Sequence, residues 1–321
     1  MTDAALNPVH PGIDPAKFRD PATTADGSTR ASVALNRLAT LWFNTGTLCN
    51  ITCANCYIDS SPTNDALVYM TADEVQGYLV QLRDRNWPVR EIGFTGGEPF
   101  MTPEMIEMAR RSLAAGYEVL ILTNAMLPMM RPAVQTGLVA LNAEFPGKLT
   151  LRVSLDHWDE TRHDAERGPG SFSKTLKGMN FLRDKGIPMA VAGRALWHEN
   201  DASAREGYAR LFQANGYKID ASNPGQTVLF PEMDMSAEVP EITTACWGIL
   251  DKSPDAVMCS SSRMVVKRKG ADRPAVLACT LLAYEPQFEL GETLEEAERD
   301  VPLNHPHCAK FCVLGGASCS A

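Results

Sequence analysis

At 321 residues the chain is long enough for two ordinary domains or one α/β barrel, and with 45% hydrophobic and 21% charged residues it is neither disordered, collagen-like nor coiled coil. A formal net charge of -9 argues against an electrostatic grip on nucleic acid or an anionic membrane. The sequence holds no membrane-length apolar run and no basic-then-apolar layout at 1–30, so the expectation is a cytoplasmic protein with no nucleic-acid or membrane partner, whose nine cysteines serve metals rather than disulfides.

Residues 1–36, rich in Pro, Ala, Asp and Thr without periodicity, read as an irregular lead-in. From 37 to 231 strands and helices alternate. An apolar stretch, Leu38 to Phe43, leads into a cysteine-bearing loop; Thr71-Ala72-Asp73-Glu74 has the capping-box form, with Val75, Tyr78, Leu79 and Leu82 at helical spacing behind it. Glu91 to Thr95 reads as a strand, Thr102-Pro103 as a helix start ended by Gly116, and Tyr117 to Leu122 as a strand. A helix after Pro128, a strand from Leu149 to Leu155, a helix over Phe172 to Lys185, a strand from Pro188 to Ala192, a helix over Ala202 to Asn215 and a strand from Thr227 to Phe230 complete about six units. Such alternation predicts right-handed crossovers onto a parallel sheet, open because six units fall short of eight, with ligands at the carboxyl ends of its strands.

Beyond Pro231 the pattern breaks. Residues 232–321 hold six cysteines, a possible hairpin (Arg263 to Lys267 and Ala275 to Leu281) with the basic cluster Lys267-Arg268-Lys269 as its solvated tip, and one acidic helix, Leu294 to Asp300. Too little apolar periodicity remains there for an independent core, which points to metal as the staple.

Two motifs carry chemistry. Cys49, Cys53 and Cys56 lie on the loop after the first strand; three thiolates on one short loop form a metal site, and with no fourth cysteine or histidine nearby an iron–sulfur cluster with one open iron fits better than structural zinc. Gly93-Phe94-Thr95-Gly96-Gly97-Glu98-Pro99 falls where the second strand ends, with glycines that permit close backbone approach to a ligand and a carboxylate able to accept from an amino group.

Together these motifs resemble the radical S-adenosylmethionine (radical SAM) enzymes over most of residues 38–200. The resemblance implies a partial (β/α)6 TIM-like barrel, an α/β fold, in which Cys49, Cys53 and Cys56 bind a [4Fe–4S] cluster that chelates SAM through its open iron. Gly96, Gly97 and Glu98 would shape the amino-group site; Thr123 and Asn124 match a Thr-Asn turn of many members; Ser154 and Asp156 would lie by the ribose, and Arg167 would pair with the SAM carboxylate, with Arg194 the alternative. One departure is Asn55, where the family often has an aromatic residue before the third cysteine; adenine packing then passes to Tyr57. His157 stands where a glycine is common, altering a turn. The resemblance marks no acid or base.

The tail, Cys246, Cys259, Cys279, Cys308, Cys312 and Cys319, is similar to the SPASM and twitch auxiliary domains, which implies one or two further iron–sulfur clusters. A zinc site of Cys308, Cys312, Cys319 and one of His305 or His307 is the alternative. The expected function is reductive cleavage of SAM to a 5'-deoxyadenosyl radical that takes hydrogen from a peptide or small-molecule substrate, with an electron donor such as flavodoxin or ferredoxin; a noncatalytic iron–sulfur or zinc-binding protein is the alternative. The 36 N-terminal residues leave little room for a separate leader-peptide-binding domain, which weighs against a peptide.

Overall fold

The computed structural model describes residues 12–197, 199–231 and 237–316; Cys319, singled out in the sequence, lies outside them. After a two-residue β1 (Ser32–Val33), six strands follow the expected alternation: β2 (Thr40–Asn44), β3 (Glu91–Thr95), β4 (Glu118–Thr123), β5 (Leu149–Ser154), β6 (Met189–Ala195) and β7 (Thr227–Pro231). They pair in that order and all in parallel. Helices α1 (Ala72–Asp84), α2 (Met105–Ala114), α3 (Pro132–Glu144), α5 (Ser171–Asp184) and α6 (Asp201–Asn215) make the crossovers, with a short α4 (Glu160–Arg167) placed before α5.

Local chemistry sets the boundaries. The capping box forms: Glu74 N donates to Thr71 Oγ1 and Thr71 N to Glu74 Oε2, and α1 buries Val75, Tyr78, Leu79 and Leu82. By contrast, α2 starts at Met105, later than Thr102-Pro103 suggested, because the Thr102 hydroxyl donates to Thr45 O and is spent on tertiary structure. The acidic helix over 294–300 is only a 3-10 turn (Glu296–Glu298); the Glu296 carboxylate accepts from Glu292 N and Thr293 N and closes a loop.

The C-terminal segment continues the sheet. A hairpin of β8 (Ser262–Val266) and β9 (Ala275–Leu277) forms close to where the pattern put it, and β8 lies parallel beside β2, with β10 (Glu289–Gly291) outside β9. The nine strands run β10-β9-β8-β2-β3-β4-β5-β6-β7. Val265, Val276 and Leu277 thereby join the same buried core as Leu41, Phe43 and Phe94, so apolar packing as well as any metal holds this segment. The basic cluster is not a free tip: Lys267 pairs with Glu74, Arg268 with Glu289 and Lys269 with Asp65. The lead-in is anchored too. β1 pairs with β11 (Val301–Pro302), and Arg30 forms an ion pair with Glu241 in which both side chains are buried. Among the described residues, no helix is long and apolar enough to cross a membrane; a short α7 (Cys246–Ile249) is the last α-helix, followed by a π-helical stretch, Cys308–Leu314.

Candidate functional site

One cavity at the carboxyl ends of β2 to β7 gathers most of the residues the sequence marked. Cys49, Cys53, Cys56, Tyr57, Gly96, Gly97, Thr123, Asn124, Ser154, Asp156 and Arg167 all line it. The cysteine loop reaches it because its entry is laced to β3: Thr45 N donates to Thr95 O, Gly97 N to Gly46 O (2.8 Å) and Glu98 N to Leu48 O. Besides lining the cavity, the glycines serve the cysteine loop itself. A Cβ at Gly97 would sit 2.2 Å from Leu48 O, and one at Gly96 2.6 Å from Gly46 O, so their missing side chains let the start of the cysteine loop lie against the glycine turn; Gly96 also has φ +144°.

Glu98 likewise acts behind the cavity wall instead of in it. It is 1% exposed, its Oε1 accepts from the Thr123 hydroxyl (2.9 Å) and Phe100 N (3.2 Å), and its Oε2 accepts from Asn124 N (2.8 Å), so this carboxyl ties the end of β3 to the end of β4. Burial pushes its pKa up to about 7 against those hydrogen bonds. Asn124 is thereby fixed to project its Nδ2 onto Asn50 Oδ1 (2.9 Å), in reach of the Cys49 sulfur at 4.0 Å.

Arg167 and Asp156 form a bidentate buried pair, Nε to Oδ2 at 2.6 Å and Nη2 to Oδ1 at 3.0 Å, with side chains 12% and 3% exposed. Asp156 N donates to His163 Nδ1 (3.2 Å), and burial drives the His163 pKa down to about 4, which keeps that ring nitrogen an acceptor. The alternative, Arg194, lines the same cavity, where it pairs with Glu166 (3.0 Å) and lies over the Tyr57 ring, 4.5 Å from its centroid. Tyr57 meets Phe230 and Phe311 edge-on. His157 builds its turn by accepting from Asp159 N.

The three thiols fit an iron–sulfur cluster. Burial raises the pKa of Cys49 to about 12 and raises that of Cys53 against the opposing charge of Arg167. Such desolvated thiols ionise when a cationic centre sits among them. Among the described residues no group of His, Cys, Asp or Glu converges tightly enough to hold a single metal ion. Three soft thiol donors lining one cavity, with room beside them, suit an iron–sulfur cluster with a ligand next to it.

In the tail the structure sorts the six cysteines. Cys259, Cys279, Cys308 and Cys312 line a second, small cavity together with Met258, Phe288 and His307. Cys246 is not among its lining residues, its sulfur accepting from Thr243 N at 3.4 Å, and Cys319 is outside the described residues. Burial raises the pKa of Cys259 to about 11 and puts that of Cys308 well above the usual thiol value. Arg263, almost fully buried, donates to Cys259 O and Ala297 O and so ties the Cys259 backbone to the β11 side of the segment. His305 and His307 stack edge-on, with His307 N donating to His305 Nδ1.

Glu166 and its two partners, Asn55 and Arg194, were not identifiable as a unit in the sequence. Glu166 stands one residue before Arg167 on a polar helix, and no spacing marks a residue whose partners lie 111 and 28 positions away.

With the geometry in place, comparison with known proteins assigns the class. The family model for the radical SAM superfamily matches residues 43–208, and the chain belongs to that superfamily. Among curated proteins it is similar to the antilisterial bacteriocin subtilosin biosynthesis protein AlbA of Bacillus subtilis (strain 168), 30% identical over 193 residues, 58% of this chain and 40% of that one. It is also similar to the AdoMet-dependent heme synthase of Methanosarcina barkeri (strain Fusaro / DSM 804), 30% identical over 144 residues, 44% of this chain and 38% of that one. The matched region thus spans about two fifths of the length of these relatives. Among solved structures, Streptococcus suis SuiB bound to S-adenosylmethionine superposes with a TM-score of 0.55 at 14% identity over 80% of this chain and 63% of that one. The anSMEcpe structure with bound AdoMet gives 0.56 at 14% identity, over 81% and 77%. These two likenesses concern the fold.

Proposed function

We propose that this protein is a radical SAM enzyme that binds a [4Fe–4S] cluster through Cys49, Cys53 and Cys56 and acts on a peptide. The observation that carries the reading is the convergence of those three thiols with Asn124, Ser154, Asp156 and Arg167 on one cavity at the carboxyl ends of the strands. When bound, the cluster supplies the electron for reductive cleavage of SAM; the chain supplies position and exclusion of water. Glu98, from behind the wall, holds Thr123 and Asn124 in place beside the SAM amino group and the Gly96-Gly97 backbone. Asp156 orients Arg167 through Nε and Nη2, leaving the Nη1 donors for the SAM carboxylate, while Ser154 and Asp156 serve the ribose and Tyr57 the adenine. The four-thiol set, Cys259, Cys279, Cys308 and Cys312, would hold one auxiliary iron–sulfur cluster by supplying four thiolates.

The peptide assignment draws on relatives: AlbA is named for subtilosin bacteriocin biosynthesis, and solved structures show SuiB bound to the precursor peptide SuiA and anSMEcpe bound to the Cp18Cys peptide. A reducing cytoplasm with a flavodoxin or ferredoxin as electron donor suits the free cysteines among the described residues. Residues 37–231 form the catalytic core and 232–321 the auxiliary segment. Anaerobically reconstituted protein should cleave SAM to 5'-deoxyadenosine under strong reductant and Cys53→Ala should not; equal product from both would overturn the assignment.

A further inference from the structure

The segment between the second and third cysteines is gripped from two sides. Ala54 N donates to Glu166 O at 2.8 Å, Asn55 N to Glu166 Oε1 at 2.8 Å and Asn55 Nδ2 to Glu166 Oε2 at 2.8 Å. Arg194 Nη1 then donates both to Glu166 Oε1 at 3.0 Å and to Asn55 O. Backbone N–H, backbone carbonyl and side-chain amide of Asn55 are thus all engaged by one ion pair. The Glu166 and Arg194 side chains are 3% and 7% exposed, where charge-assisted hydrogen bonds are strong and geometrically exacting. Glu166 closes α4 and Arg194 belongs to β6, so two rigid elements hold the loop. The Arg194 guanidinium also covers the Tyr57 ring, extending the grip past Cys56.

Asn55 is the residue at which this chain departs from the aromatic pattern, and the clamp gives the departure a reason: beside the backbone N–H that any such residue offers to Oε1, the short amide places a second N–H on Oε2, a donor that a phenyl ring lacks. We infer that Glu166 and Arg194 are positioning residues which, through Asn55, fix the relative placement of Cys53 and Cys56 around the bound cluster and so slow the loss of its iron. This inference rests on the cluster assignment made above.

The pairing can be broken and rebuilt without changing volume. Glu166→Gln turns an amide toward an amide and leaves Arg194 without its counter-charge, while Asn55→Asp sets two carboxylates against each other. The double variant Asn55→Asp/Glu166→Gln restores one carboxylate, one amide and the balance with Arg194. In anaerobically reconstituted protein, the SAM-sensitive EPR signal of the reduced cluster is followed during exposure to a ferrous chelator, with the unfolding midpoint of the metal-free chain measured in parallel. Each single variant should lose the signal at least about tenfold faster than wild type, and the double variant should return to within about threefold of it, because residues in one network couple strongly. Wild-type loss rates in both single variants, or a double variant no better than the worse single, would overturn the clamp. If a single variant does not fold, the double variant decides alone by whether its signal decays at the wild-type rate. A wild-type protein that shows no SAM-sensitive signal, or whose signal survives Cys53→Ala, would instead overturn the cluster assignment.

Discussion

Removing Arg167 separates its structural role from its expected ligand role. In Arg167→Ala the Asp156 carboxylate, 3% exposed in its side chain, loses a bidentate partner 2.6 and 3.0 Å away. At about 3 Å and an effective dielectric of about 20 that attraction is roughly 5 kcal/mol, and truncating one partner of a buried pair costs about 3–5 kcal/mol. At about 2 °C per kcal/mol for a chain of this size, the variant should melt roughly 6–10 °C below wild type. Asp156→Asn/Arg167→Ala, which removes the stranded charge as well, should recover most of that loss. SAM affinity, titrated on reconstituted protein, should behave differently: roughly 1.5–3 kcal/mol weaker, about ten- to a hundred-fold, in Arg167→Ala, and no stronger in the double variant, which also lacks the Asp156 carboxylate beside the ribose. A melting point for Arg167→Ala within a degree of wild type, or a double variant no more stable than the single, would refute the buried-pair reasoning. Wild-type SAM affinity in both would remove Arg167 from the ligand site.

Three further outcomes are expected. Because burial raises the Glu98 pKa to about 7, its contribution to stability is fully present below about pH 4.5 and declines as pH rises through 7; the melting advantage of wild type over Glu98→Gln should therefore shrink between pH 5 and 8, and a constant difference counts against it. Gly97→Ala, with its Cβ driven to 2.2 Å from Leu48 O, should cost about 1–3 kcal/mol and weaken iron retention, whereas Gly77→Ala, exposed in α1 with nothing within 4 Å, should gain about 0.5–1 kcal/mol in denaturant unfolding. Cys279→Ser should lower bound iron toward about four atoms per chain while Cys246→Ser leaves it unchanged; equal iron loss in the two would refute the four-thiol set.

The alternating core was legible because each of its strands is an apolar run bounded by turn residues and most of its helices carry an apolar stripe. Helix α4 was missed for the opposite reason: only His163 and Glu166 are buried on it, so it has no apolar period to read. Cys49, Cys53 and Cys56 could be recognised from their spacing on one loop. Cys259, Cys279 and the Cys308–Cys312 pair come from three separate segments, and only the fold brings them to one cavity, whose lining does not include Cys246. The pairing of β8 with β2 was likewise invisible, since Thr40 meets Ser262 across more than two hundred intervening residues.

That pairing orders the events of synthesis. The β2 strand leaves the ribosome more than two hundred residues before the neighbour on its open side, and loop closure over such a distance is slow. Until β8 emerges an apolar strand, Leu41-Trp42-Phe43, presents an unpaired edge directly ahead of three reduced thiols. Nascent chains and fragments ending before β8 share this exposed state, so aggregation and oxidation of the cysteine loop compete with folding until the C-terminal hairpin arrives.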